Sequence, residues 1–93
     1  MWYVYIVECS DGTLYTGITT DIVRREEEHN TSEKWAKFTK MRRPVKIVFT
    51  HEADDRSHAS KYEYAIKKMT RVNKLQLINR EKELLLPIKE TKN

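Results

Sequence analysis

Residues 2–20 read Trp2-Tyr3-Val4-Tyr5-Ile6-Val7-Glu8-Cys9-Ser10-Asp11-Gly12-Thr13-Leu14-Tyr15-Thr16-Gly17-Ile18-Thr19-Thr20. Aromatic and β-branched side chains dominate residues 2–9 and recur in 13–20, so both stretches predict strands. Ser10-Asp11-Gly12 between them is a turn signal. A three-residue hairpin loop commonly sets a type I turn followed by a left-handed glycine, and Gly12 stands where that glycine is needed. Cys9 then opposes Thr13, Val7 opposes Tyr15, and Tyr5 opposes Gly17. Side chains alternate faces, which puts Tyr3, Tyr5, Val7, Tyr15, Gly17 and Thr19 on one side. Val4, Ile6, Leu14, Thr16 and Ile18 form the other, more apolar side. Glycine weakens a strand interior, and close approach by a ligand or another backbone is one reason to find it there. Two phenols around such a gap could make a phosphate-sized pocket; the alternative is that both tyrosines simply pack well in a strand.

Outward from the hairpin, Asp21 is a good N-cap for a short helix from Ile22 to about Thr31. Residues 31–44 are polar and basic and read as a loop ended by Pro44. A third strand is expected over 45–50. Asp54, Asp55 or Ser57 caps a second helix to about Met69, with Ala59, Tyr62, Ile66 and Met69 as its apolar stripe. Thr70 can cap a third helix with Val72, Leu75 and Ile78 facing inward. The order β-β-α-β-α-α predicts an α+β fold: a three-stranded antiparallel sheet with three helices. We expect one domain over 1–84 and a frayed tail over 85–93.

The chain has 93 residues, which allows one domain with a modest core. No apolar run approaches the roughly 20 residues that span a bilayer, so no membrane role is expected. The start lacks the pattern of a signal peptide. Cys9 is the single cysteine, which excludes an intrachain disulfide and a multi-cysteine zinc site and fits the reducing cytoplasm. Net charge is +4 with a pI near 9.2, which leans toward an acidic partner such as nucleic acid.

Three groups of residues could carry chemistry. Arg25 and His29 lie four apart on the first helix, hence on one face. An arginine can fork two donors onto a phosphate, and a histidine one turn away can move a proton. The alternative is a solvated face with Arg25 paired to a glutamate. Glu63 sits beside the apolar stripe of the second helix, where a carboxylate is costly unless it is paired or binds metal. It could hold Mg²⁺, which keeps waters and borrows phosphate oxygens from a substrate, or it could form an i,i+4 pair with Lys67. Finally, Lys37, Lys40, Arg42, Arg43 and Lys67 are candidate nucleic-acid contacts together with Gly17, and Trp35 and Phe38 are interleaved with the loop charges.

Taken together, this layout resembles the GIY-YIG nuclease superfamily. Tyr3-Val4-Tyr5 corresponds to the first triplet of the family name and Tyr15-Thr16-Gly17 to the second. Tyr3 replaces the first glycine and Thr16 replaces an isoleucine. Residues 21–29 look like the arginine helix and residues 62–68 like the segment with the metal-binding glutamate. The opening Trp2-Tyr3-Val4-Tyr5-Ile6 and Arg42-Arg43-Pro44-Val45 are similar to a small stand-alone bacterial branch, itself similar to the nuclease domain of a eukaryotic structure-specific endonuclease. The family's further asparagine has no single match; Asn73 and Asn79 are the alternatives for it. The resemblance implies a metal-dependent endonuclease acting on phosphodiesters, with structure-specific DNA ahead of RNA. It implies that Glu63 holds one Mg²⁺ or Mn²⁺, that Arg25 stabilises the phosphate, and that Tyr5 with Tyr15 or His29 handles water. These five residues should converge in one surface cleft. Targeting would then come from a protein partner or be loose. Two other readings stay open: a non-catalytic nucleic-acid-binding module and a protein-interaction domain. Glu63 separates the enzyme from the module, because a binder has no use for a carboxylate beside phosphate.

Overall fold

The computed structural model describes residues 1–31 and 39–85, with side chains as far as residue 80. Its elements are β1 (Trp2–Glu8), β2 (Leu14–Thr19), α1 (Ile22–Thr31), a short 3-10 turn (Lys40–Arg42), β3 (Lys46–Ala53), α2 (Arg56–Lys67) and α3 (Arg71–Leu85). The fold is α+β, with three antiparallel strands in the order β2-β1-β3 and three helices, as the sequence predicts.

The hairpin register is the expected one. Cys9 N donates to Thr13 O at 2.8 Å, Gly12 has φ 84°, and Tyr5 pairs with Gly17 and Val7 with Tyr15. The two sheet faces also divide as read. Val4 and Ile6 pack with Phe49, Ile66 and Ile78, whereas Tyr5 and Val7 pack with Cys9 and Val45. Thus α2 and α3 cover one face of the sheet and α1 the other. Three caps are formed: Asp21 Oδ1 accepts from Arg24 N (3.0 Å), Asp55 Oδ1 from His58 N (2.9 Å), and Thr70 Oγ1 from Asn73 N (3.2 Å).

The structure corrects four details. β3 runs to Ala53 instead of Thr50, because Trp2, Tyr3 and Val4 supply ladder partners for Ala53, Glu52 and His51, polar as two of those are. Residues 40–42 form a 3-10 turn inside the expected loop. Val72 is 63% exposed. A line of residues spaced three apart drifts by about 60° per step on a 3.6-residue helix, so Val72 rotates off the face that Ile78 buries. Leu77 takes its place in that core. Tyr62 is 43% exposed and leans toward β3, where its ring meets His51 edge-on at 4.9 Å. Both rings line an apolar cavity of about 210 Å³ with Val4, Phe49, Ile66 and Leu77.

Candidate active site

Tyr5 decides the geometry. Its side chain leaves β1 and lies over Gly17 of the neighbouring strand. A Cβ on Gly17 would stand 2.5 Å from the Tyr5 hydroxyl oxygen and 2.7 Å from Cζ. Gly17 therefore gives room to the protein's own phenol, and the gap between the two tyrosines is filled by it. From that position the Tyr5 hydroxyl lies 2.8 Å from His29 Nε2. Both residues are buried, Tyr5 at 2% and His29 at 3% exposure, so this pair forms the floor of the site and not its surface. The His29 ring meets Tyr5 and Tyr15 edge-on, with centroids 5.8 and 5.4 Å apart.

Burial pushes the Tyr5 phenol well above its ordinary value; Arg25 opposes this, while Tyr15, Glu63 and Glu28 add to it. Burial also holds the His29 imidazole below its ordinary value; Arg25 and Arg43 act in the same direction and Glu28 opposes them. Around neutral pH the site therefore holds an un-ionised phenol against a neutral imidazole, with the Arg25 guanidinium nearby. Arg25 Nη1 lies 3.4 Å from Glu28 Oε1, so the arginine both pairs along its helix and projects its charge onto Tyr5 and His29.

Several contacts fasten the end of α1 and so aim His29. Its Nδ1 lies 3.0 Å from Thr39 Oγ1, and its carbonyl accepts from Arg43 Nε at 2.7 Å. Asn30 Oδ1 accepts from Val45 N (2.8 Å) while Asn30 Nδ2 donates to Val45 O (3.0 Å). Glu26 Oε2 accepts from Ile47 N at 2.7 Å. Sequence reasoning missed Glu26, Asn30 and Thr39 as positioning groups. Their targets are backbone atoms and a ring brought near by the chain's return, and no periodicity marks such pairs.

Glu63 stands on α2, across the sheet from α1. Tyr62 and Glu63 flank the α2 stripe on opposite sides, and Tyr62 is the one whose ring meets β3. No described hydrogen bond joins Glu63 to the other four candidates, but its charge acts on Tyr5 and raises the phenol further. Its side chain is 24% exposed and its Oε2 lies 3.2 Å from Lys67 Nζ, an i,i+4 pair. Of the basic candidates, Lys40 and Lys67 are exposed. Arg42 Nε lies 3.2 Å from Asp11 Oδ2, joining the 3-10 turn to the hairpin loop, and Arg43 caps α1. Lys37, Trp35, Phe38 and the tail beyond Leu85 lie outside the described residues. Asn73 and Asn79 are both exposed on α3.

Residues 1–76 match the GIY-YIG catalytic domain. The chain is 57% identical over 77 residues to a UPF0213 protein of Desulfotalea psychrophila, covering 83% of this chain and 70% of that one. It is 54% identical over 81 residues to a UPF0213 protein of Syntrophus aciditrophicus, covering 87% and 93%. The solution structure of a UPF0213 protein from Bacillus halodurans is similar at a TM-score of 0.57 and 39% identity, covering 98% of this chain and 100% of that one.

Proposed function

Because the chain belongs to the GIY-YIG catalytic-domain family, in its UPF0213 bacterial branch, we propose that it is a divalent-metal-dependent endonuclease that hydrolyses phosphodiesters, with structure-specific DNA as the favoured substrate. The observation that carries this reading is the buried 2.8 Å contact between Tyr5 and His29 within the field of Arg25. A phenol whose pKa is raised by burial is a poor store of phenolate. It is a good relay: its oxygen takes a proton from an attacking water while its own proton passes to neutral His29 Nε2. The charge then sits on an imidazolium beside Glu28, and no free phenolate forms. Arg25 serves the other partner, since its fork matches the oxygens of a phosphate whose charge grows in the transition state.

The donor set suits a hard metal that arrives with its substrate. Among the described residues no three His, Cys, Asp or Glu side chains cluster to cage an ion. Half-buried Glu63 offers one carboxylate, which fits Mg²⁺ or Mn²⁺ retaining waters and sharing phosphate oxygens. When bound, such a cation supplies stabilisation of the leaving oxygen. Lys67 is the present partner of Glu63 and must give way to the cation or turn to a neighbouring phosphate. Among the described residues no helix is long and apolar enough to cross a membrane, and buried, unpaired Cys9 fits the reducing cytoplasm in which we place the protein.

Glu63→Gln tests this directly. The near-isosteric amide should leave the melting curve within about 1 kcal/mol of wild type, the scale of an exposed ion pair. Mg²⁺-dependent cleavage of flap, branched, single-stranded and RNA substrates should disappear, and chelator should abolish wild-type cleavage. A mutant that still cuts would remove Glu63 from the metal site and most of the case for an enzyme.

A further inference from the structure

Thr39 is fully buried, and its hydroxyl makes two contacts with one residue. Oγ1 donates to the His29 carbonyl oxygen at 3.3 Å and lies 3.0 Å from His29 Nδ1. A hydroxyl has one proton. The assignment that serves both contacts sends that proton to the carbonyl, which cannot donate; Oγ1 then meets the imidazole as an acceptor and Nδ1 carries the ring proton. In a neutral ring Nε2 is then bare and faces the Tyr5 hydroxyl at 2.8 Å. The opposite tautomer would aim an Nε2–H at the Tyr5 oxygen. The buried phenol proton would then lose the acceptor that His29 provides, a costly arrangement away from water.

We propose that Thr39 is a positioning residue that fixes the tautomer of His29, so that Nε2 is held as the acceptor of the Tyr5 proton. This assignment rests on the nuclease reading for its catalytic meaning but not for its chemistry. Thr39 stands immediately before the 3-10 turn at Lys40–Arg42, so the same contact joins that turn to the end of α1.

The experiment combines ring-nitrogen NMR of ¹⁵N-histidine-labelled protein with cleavage kinetics for wild type, Thr39→Val and Thr39→Ser. Wild type and Thr39→Ser should show His29 protonated at Nδ1. Thr39→Val keeps the volume but has no acceptor, and it should shift the ring toward the Nε2–H form. Its kcat should fall by about ten- to a hundredfold, the scale seen when the partner orienting an imidazole is removed. KM should hold, and Thr39→Ser should recover the rate. His29 protonated at Nε2 in wild type would overturn the proposal. So would a Thr39→Val protein with unchanged tautomer. If Thr39→Val fails to fold, the wild-type tautomer and the Thr39→Ser spectrum still decide. A wild type that cuts nothing would end the nuclease reading while the ring-nitrogen spectra continued to judge Thr39.

Discussion

Gly17 has no side chain, and the Tyr5 phenol occupies the space where one would stand. A methyl group there would meet the Tyr5 hydroxyl oxygen at 2.5 Å, and the ring has little room to retreat because it is buried and held by His29. Gly17→Ala should therefore cost about 1–3 kcal/mol, the range for overpacking a close-packed core. It should also swing Tyr5 away from His29 and depress cleavage beyond what lost stability explains. Urea denaturation alongside the cleavage rate separates the two effects, and an alanine variant of wild-type stability and rate would show that the phenol relocates at no cost. The hairpin sequence exposed the anomaly of a glycine in a strand, since register follows from a turn of known length. It did not reveal what approaches the glycine, because that depends on the rotamer of a tyrosine one strand away.

At the scale of elements, α1 carries Arg25 and His29 but does not hold itself in place. Its C-terminal turn is latched to residues 39–47 by Thr39, Arg43, the Asn30–Val45 pair and the Glu26–Ile47 bond. Asn30 imitates a strand, accepting from and donating to the same backbone residue. Asn30→Ala should leave Val45 N without this partner and cost about 1–3 kcal/mol. The loss should appear as a lower urea midpoint with the denaturant slope unchanged. A midpoint equal to wild type would mean that water replaces the amide without penalty. Strand, helix and cap positions were legible from local pattern, as Asp21 and Thr70 illustrate, whereas the α2 cap stayed open among Asp54, Asp55 and Ser57 until packing chose Asp55. Val72 was misread because helical drift matters once a stripe is counted in threes. β3 holds a second subtlety. A register shift between Ile6 and Val7 leaves Ile47 opposite Val7 and Phe49 opposite Ile6, so residues that strict alternation would place together serve opposite faces.

Considered whole, the molecule spends some of its basic side chains on its own fold. Arg42 braces the hairpin turn from one side, and Arg71 Nη1 donates to Gly12 O at 2.7 Å from the start of α3. The net charge of +4 still favours a polyanion. If binding engages about four phosphates, affinity should fall with a log–log salt slope of about −3.6, on the order of a hundredfold between 50 and 200 mM salt. Titration of labelled DNA at both concentrations checks this, and a flat response would mean that the charges serve solubility alone.

The sequence by itself determined the hairpin and its register, the division of the hairpin into two faces, the element order and the caps of α1 and α3. Each follows from interactions within a few residues or from strict alternation, which short-range stereochemistry enforces. Tertiary structure alone decided that Tyr5 lies across Gly17, that His29 is clasped between Tyr5 and Thr39, and that the charge of Glu63 on α2 acts on the phenol. Those relations join residues from 10 to 58 positions apart, and side-chain direction, burial and charge at such separations are set by packing, which no local pattern encodes.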